Sequence, residues 1–123
     1  MESQLISQPP TEFAVFDRVY ELVPFLKERE SSIAGKVMTE RARELRANLG
    51  EEDGWFVMEH QDKIPSEFQM KFFPVFTNWL GPPNELSVAI LYWHDGNGAR
   101  WCQSWGLLNS FWGENFRLVR RVK

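Results

Sequence analysis

The chain has 123 residues, a formal net charge of −3 and a hydrophobic fraction of 43%. This length suits a single domain, and the composition is that of an ordinary globular protein rather than of a disordered one. The mildly acidic charge argues against general binding to nucleic acids, whose phosphates attract basic proteins. The single cysteine, Cys102, excludes an intramolecular disulfide.

The first ten residues are polar and rich in Ser, Gln and Pro, which predicts a flexible tail over residues 1–10. They lack the basic start and the apolar stretch of a secretory signal, and no apolar run reaches the roughly 20 residues that span a bilayer. We therefore expect a cytoplasmic protein that does not contact membranes. Aromatic residues make up 15% of the chain, enough for a single α+β domain over residues 11–123 to build a core.

The first predicted element is an amphipathic helix that starts with Thr11 as its N-cap. Apolar side chains recur at helical spacing from Phe13 to Val23, and polar side chains fall between them. Pro24 lacks an amide hydrogen and predicts a break at this point, with a short helical continuation over residues 25–30.

A second helix is predicted to begin at Ser31 or Ser32 and to end before Gly50, since glycine favours the position after a helix C-terminus. The acidic run 51–54 is then interpreted as a loop. The bulky residues 55–59 predict a short strand.

Residues 66–80 have two interpretations. Ser66 and Gln69 fit a capping box, and aromatic residues follow at helical spacing, which predicts a helix kinked at Pro74. The alternative is a shorter helix followed by a strand over residues 75–80, because Val, Phe, Thr and Trp suit a sheet.

The last third of the chain predicts three strands, over residues 86–93, 99–105 and 116–122. The segment Asp95–Gly98 contains two dipeptides that favour hairpin turns, so the first two strands form an antiparallel hairpin. Residues 107–114 are predicted as a loop or a helical turn.

The order of the elements predicts an α+β, two-layer domain in which the N-terminal helices pack on a mainly antiparallel sheet. A strongly curved sheet, as in cystatin-like or nuclear-transport-factor-like cones, is compatible with the same order. This comparison concerns architecture only and implies no function.

A hairpin loop of two or four residues would place even positions of the first strand on the same face as odd positions of the second. The core-like face would then carry Leu86, Val88, Ile90, Tyr92, Trp101, Gln103 and Trp105. The second face would carry Ser87, Ala89, Leu91, Trp93, Arg100, Cys102 and Ser104. We expect the first face to pack on the helices, and the second, semi-polar face to be available for binding.

Six residues around the hairpin turn are the candidate ligand- or partner-binding site. They are Trp93, His94, Asp95, Arg100, Trp101 and Cys102. An arginine can stack on an indole, and Trp and Arg are enriched at interface hot spots. Cys102, His94 and Asp95 also suggest a Cys–His–acid arrangement, but the predicted register points His94 away from the thiol. We therefore predict no catalytic residue here.

Other candidates are weaker. His60 and Asp62, with His94 and Asp95, could act as acids and bases if a pocket lies between the sheet and the helices. The chain has two histidines and no pair of cysteines, so we predict no metal site and no cofactor. The basic C-terminus resembles a nucleic-acid surface, but charges that protect a strand edge explain it equally well, and we do not expect a nucleic-acid partner.

The sequence favours a non-catalytic binding module that uses an aromatic sheet face and forms a homodimer with itself. One alternative is a small-molecule-binding domain or an enzyme, with a pocket between sheet and helices. Another is a small acidic inhibitor or immunity-like protein that blocks a basic partner, based on Glu51, Glu52 and Asp53.

Overall fold

The computed structural model describes residues 11–123, and the flexible tail predicted for residues 1–10 lies outside the described residues. The strands are β1 (Thr11–Val15), β2 (Arg18–Val23), β3 (Ser32–Ala34), β4 (Phe73–Gly81), β5 (Ser87–His94), β6 (Arg100–Leu107), β7 (Phe111–Gly113) and β8 (Phe116–Arg121). The helices are α1 (Gly35–Glu44) and α2 (Glu51–Glu59), and two short 3-10 turns, Gln61–Lys63 and Ser66–Phe68, follow α2. Neither helix of this described part is long and apolar enough to cross a membrane.

Six of the strands form one sheet in the order β1-β2-β8-β4-β5-β6. Neighbouring strands are antiparallel except β4 and β8, which run parallel, and β3 pairs with β7 in a separate two-stranded ribbon. The predicted α+β class with a mainly antiparallel sheet is confirmed. The sheet is not strongly curled, so the cone-like alternative does not describe it.

The two helices lie on opposite faces of the sheet. On the α2 face, sheet residues such as Leu22, Leu91 and Val119 share a buried cluster with Val57 of α2. On the α1 face, a second buried cluster contains these residues from the sheet, α1 and the β3–β7 ribbon: Val23, Val75, Val88, Leu118, Met38, Ile33 and Trp112. The central strands are therefore buried on both faces, and the expected single layer of helices is not what forms.

The helix predicted over residues 13–23 is wrong, because this segment forms the hairpin β1–β2. Phe13, Val15, Tyr20 and Leu22 alternate toward the α2 face and are buried. Phe16 has a positive φ of 56° in the tight turn between the strands. The predicted continuation over residues 25–30 is also not helical.

The second predicted helix is confirmed as α1, although it is shorter than expected. Residues 32–34 form β3 before it, and Gly50 precedes α2 rather than ending α1. Arg41 holds α1 to the preceding loop with two hydrogen bonds to Glu30, of 2.6 and 2.9 Å, and one to the Phe25 carbonyl. These bonds lower the pKa of Glu30 to about 2, since they favour the ionised carboxylate.

The acidic loop and the strand predicted over residues 51–59 are wrong, since both belong to α2. Glu51, Glu52 and Asp53 form its first turn, where carboxylates interact favourably with the helix dipole. The acidic run is therefore a helix start and not a loop.

For residues 66–80, the alternative with a strand is the better one. A 3-10 turn over Ser66–Phe68 replaces the long helix, and Phe73–Gly81 is the central strand β4. Its pairing with β5 shifts between Phe76 and Leu80, which marks a bulge.

The C-terminal hairpin and the last strand are confirmed as β5, β6 and β8, with ends within about two residues of those predicted. The predicted hairpin register is wrong. Leu91 lies opposite Gln103 and His94 opposite Arg100, so the loop has an odd number of residues and odd positions pair with odd positions. The α2 face of the hairpin therefore carries Ala89, Leu91, Trp93, Trp101, Gln103, Trp105 and Leu107, and Ala89 and Leu91 are core residues.

Candidate functional site

The six residues predicted as a site are divided between the two faces of the sheet. Trp93 and Trp101 lie on the α2 face with their rings edge to face, 5.8 Å apart between centroids. His94, Arg100 and Cys102 lie on the α1 face, so the expected stacking of Arg100 on an indole does not occur. Arg100 instead donates a hydrogen bond to the Gly98 carbonyl. Asp95 is exposed in the turn.

The corrected register places His94 and Cys102 on one face, contrary to the prediction. The thiol nevertheless makes its hydrogen bond, at 4.0 Å, with the Arg100 carbonyl and not with the imidazole. His94 is exposed at the end of the hairpin. A nucleophile needs a hydrogen-bonded base held by a third group, and these residues do not form that arrangement.

Trp93 lines an open cleft of about 520 Å³ between the hairpin tip and the segment that follows α2. The other lining residues are Gln61, Asp62, Lys63, Ile64, Pro65, Ser66, Gln69 and Ala99. The volume lies within the range of small-molecule sites, roughly 300–1,000 Å³. The cleft thus combines one half-buried ring with acidic, basic and amide side chains.

Gln61 closes one end of the sheet edge beside this cleft. Its Oε1 accepts a hydrogen bond of 2.7 Å from the backbone N–H of Trp101, and its Nε2 donates one of 3.4 Å to the carbonyl of the same residue. β6 is an edge strand of the sheet, so these groups would otherwise point to solvent. The side-chain amide of Gln61 stands where a neighbouring strand would place a peptide group.

The other end of the β6 edge is closed by the chain itself, because the Leu107 carbonyl accepts a hydrogen bond from the Ser110 N–H. The N–H of Leu108 donates to the Leu86 carbonyl. The backbone N–H and C=O groups at even positions of β6 therefore point toward β5, and those at odd positions point away from the sheet. Between these two closed ends, the residues whose backbone groups point away from the sheet are Gln103 and Trp105. The edge is therefore closed at its two ends, at Trp101 and Leu107.

We expect Gln61→Ala to speed hydrogen exchange at the Trp101 amide by about tenfold or more and to lower the free energy of unfolding by about 1–2 kcal/mol, because two edge hydrogen bonds are lost. Amide exchange followed by NMR and urea denaturation measure the two effects. Gln69→Ala removes an amide from the same cleft and is the matched control. Equal exchange at Trp101 in both variants would contradict this role of Gln61.

The remaining acid–base candidates do not converge on one site. His60 packs edge to face against Phe16 and Phe56, with centroid distances of 4.7 and 5.0 Å. Asp62 lines the cleft and lies 3.9 Å from Lys63. Within residues 11–123, no three His, Cys, Asp or Glu side chains are grouped so that they could hold a metal ion.

The basic C-terminus is tied into the fold. Arg120 forms an ion pair of 2.7 Å with Glu21, and Arg117 is 95% buried with its guanidinium 4.5 Å from the centre of the Phe72 ring. Arg121 lies 3.8 Å from Asp53. These arginines contact neighbouring elements rather than forming a free basic strip.

At the end of the α2 face away from the hairpin tip, three tryptophans pack in a row. Trp79 of β4 is buried, with its ring centroid 5.2 Å from that of Trp55 on α2 and 6.0 Å from that of Trp105 on β6. Gly54 and Gly81 permit this packing, because a Cβ atom at either position would overlap the ring of Trp79 or Trp105 respectively. Three separate elements thus hold two outer rings on one buried ring.

The outer members of this row are exposed. Trp55 retains 47%, Trp105 37% and Leu107 50% of its accessible surface. Leu107 follows Trp105 by two positions on the same face of β6. We call Trp55, Trp79, Trp105 and Leu107 the tryptophan surface.

An apolar hollow of about 260 Å³ adjoins the tryptophan surface. Its lining consists of Pro83, Leu86, Leu107, Leu108 and Asn109. Leu86 is 56% exposed. The tryptophan surface therefore continues through Leu107 into a small depression that an apolar side chain could fill.

Carboxylates lie at both ends of this region. Glu51 and Glu52 are exposed on α2, one turn before Trp55, and Glu85 is exposed next to Leu86 of the hollow. Arg18 approaches Glu52 to 3.6 Å, yet the Glu52 side chain stays 84% exposed.

Asp53, the third carboxylate of α2, is engaged inside the fold. Its Oδ1 accepts a hydrogen bond of 2.6 Å from the Tyr20 hydroxyl and one of 3.1 Å from Arg18. The Arg18 guanidinium also lies 3.9 Å from the centre of the Phe56 ring. This network ties β2 to α2 and takes no part in the exposed acidic region.

The sequence did not point to the tryptophan surface. The predicted register places Trp105 on the core-like face, and residues 55–59 are predicted as a strand, so neither exposed ring is singled out. The neighbouring glycines were the available signal: Gly54 precedes Trp55, and Gly81 follows the Trp79–Leu80 pair. Glycine inside a strand often marks the close approach of another group.

No family model matches the chain, and neither a curated protein nor a solved structure is significantly similar to it.

Proposed function

We propose that this protein is a non-catalytic binding module that engages a protein partner through the tryptophan surface. The observation that carries the proposal is the exposure of Trp55 and Trp105 on a rigid, buried support, Trp79. Exposed rings fixed in this way lose little conformational entropy on binding, and tryptophan is among the residues most enriched at hot spots.

The adjoining hollow supports the same proposal. A partner side chain that fills a desolvated pocket beside aromatic residues is a common arrangement at the centre of interfaces. The hollow is bounded by Leu86 and Leu107, both about half exposed, so it offers apolar area on the outside of the domain.

The test is a comparison of partners captured from a native lysate. The double variant Trp55→Ser/Trp105→Ser should lose a partner that the unaltered protein retains. Phe111→Ser is the matched control, because Phe111 is 73% exposed on β7 and lies outside the tryptophan surface. If the unaltered protein, the double tryptophan variant and Phe111→Ser capture the same set of proteins, the proposal is wrong.

The sequence favoured a homodimer through an aromatic sheet face, and self-association through the tryptophan surface is the corresponding form of this proposal. In that form, light scattering after size-exclusion chromatography would show a mass that rises with concentration toward that of a dimer. The double tryptophan variant should remain monomeric. If the wild-type protein is monomeric at every concentration, the homodimer is wrong, and a different protein remains as the proposed partner.

The cleft at the hairpin tip supports a second candidate function, the binding of a small molecule. Trp93 is the ring of that cleft, and its size suits a compact ligand. Ligands that raise the melting temperature of the wild type should fail to do so for Trp93→Ala. A library screen without a Trp93-dependent shift would dismiss this candidate.

A further inference from the structure

We infer that the partner of the tryptophan surface is a cationic segment of a protein, in which arginine or lysine residues alternate with apolar ones. The inference rests on the proposed function, because it names the partner of the same surface. It combines three features of the described residues: the exposed rings, the apolar hollow and the exposed carboxylates around them.

The exposed charge around the tryptophan surface is mainly negative. The chain contains no Lys or Arg over residues 47–62, 72–99 or 101–116, which supply α2, β4, β5 and most of β6. The exposed carboxylates on α2 and next to the hollow are Glu51, Glu52, Glu59 and Glu85. Arg18 is the cation placed near them, and it is shared with Asp53.

Exposed indole rings attract cations as well as apolar groups. A guanidinium over the face of a tryptophan is stabilised by the ring electrons, and nearby carboxylates strengthen the attraction. An arginine that reaches Trp55 would also come within one helical turn of Glu51 and Glu52. The apolar hollow would accept a neighbouring aliphatic side chain of the same segment.

The same charges disfavour a symmetric dimer on this surface. A two-fold pairing brings identical patches together, so the carboxylates that border the patch of one copy, Glu51, Glu52 and Glu85, would come close to those of the other. Like charges that meet across an interface oppose association. A basic partner meets no such repulsion, and a protein with a net charge of −3 attracts it at long range.

The experiment uses two fluorescein-labelled decapeptides, one alternating arginine with leucine and the other alternating glutamate with leucine. Fluorescence anisotropy at low salt should show binding of the arginine peptide to the wild type, and at least about tenfold weaker binding of the glutamate peptide. Added salt should weaken the arginine complex, because surface charges are screened.

Two double variants that each remove two negative charges, together with Trp55→Ser, locate the binding site. Glu51→Gln/Glu52→Gln should weaken the arginine peptide by about tenfold, and Trp55→Ser should do so as well. Glu40→Gln/Glu44→Gln removes the same charge from the exposed side of α1, on the other face of the sheet, and should change the affinity less than twofold. Equal losses in the two glutamine variants would show that net charge alone attracts the peptide, and would overturn the inference.

The outcomes separate this inference from the proposed function. If a captured partner depends on Trp55 and Trp105 while the arginine peptide binds no better than the glutamate peptide, the cationic segment is wrong and the binding module stands. If neither the partner nor the peptide depends on the two rings, both proposals fail.

Discussion

Trp79→Ala should lower the free energy of unfolding by about 3–5 kcal/mol, the largest single effect that we expect in this protein. Trp79 is 4% exposed and contacts the rings of Trp55, Phe76 and Trp105. Removing it leaves a cavity between α2 and the sheet that rigid neighbours cannot fill. Urea denaturation gives the change directly.

The control for this prediction is Trp55→Ala. Trp55 touches the same cluster but is 47% exposed, so its loss should cost about 1 kcal/mol or less. The two variants therefore distinguish a structural role from a binding role. Trp79 stabilises the tryptophan surface from below, and Trp55 is exposed for contact with a partner. Similar losses of stability in both would mean that the outer ring is structural and would weaken its assignment to binding.

The parts of the fold that sequence reasoning predicted correctly depend on local signals. The β5–β6 hairpin follows from Asp95–Gly98, where Asp-Gly and Asn-Gly dipeptides favour a turn whatever the rest of the chain does. Helix α1 follows from its own apolar spacing. Both patterns are complete within about twenty residues.

The N-terminal hairpin could not be predicted in this way. Residues 13–23 satisfy a helical spacing through Phe13, Phe16 and Tyr20, and they also satisfy an alternation through Phe13, Val15, Tyr20 and Leu22. The structure uses the alternation, because β2 pairs with β8 and Glu21 meets Arg120 ninety-nine positions later. A partner so distant in sequence decides between two equally good local patterns.

The predicted arrangement of side chains on the β5–β6 hairpin was wrong for a related reason. A one-residue difference in the loop between β5 and β6 exchanges every side chain between the faces of one strand relative to the other. In the structure, unlike in the predicted register, Trp93 and Arg100 lie on opposite faces, and Trp105 shares the α2 face with Ala89 and Leu91. The tryptophan surface joins α2, β4 and β6, so it exists only once the tertiary packing is known.

The network of Asp53, Tyr20 and Arg18 supplies the second large effect. Tyr20 is fully buried, and the Asp53 side chain is 15% exposed. Asp53→Ala should lower the free energy of unfolding by about 2–3 kcal/mol, because it leaves the buried Tyr20 hydroxyl without its acceptor and removes the nearer of the two carboxylates that Arg18 contacts. Tyr20→Phe should cost about 1–2 kcal/mol.

A double-mutant cycle isolates the bond between the two residues. Once Tyr20 is phenylalanine, replacing Asp53 no longer strands a buried hydroxyl. The double variant should therefore lose about 1 kcal/mol less stability than the sum of the single losses. Strict additivity in urea denaturation would show that the 2.6 Å hydrogen bond between Tyr20 and Asp53 contributes no net coupling.

The same network predicts how stability changes at alkaline pH. The pKa of Tyr20 is raised to about 12, first by burial and also by the hydrogen bond to Asp53, against the opposing effect of Arg18. The folded protein holds the phenolic proton more tightly than the unfolded chain, whose tyrosines have a pKa of about 10. The stabilisation from the neutral hydroxyl is therefore fully present below about pH 10 and is lost as the pH rises toward 12, by up to about 2–3 kcal/mol. Phenylalanine cannot ionise, so the Tyr20→Phe variant should show a flatter decline in stability between these pH values. Parallel curves for the two proteins in denaturation at pH 9, 10 and 11 would contradict a buried, neutral Tyr20.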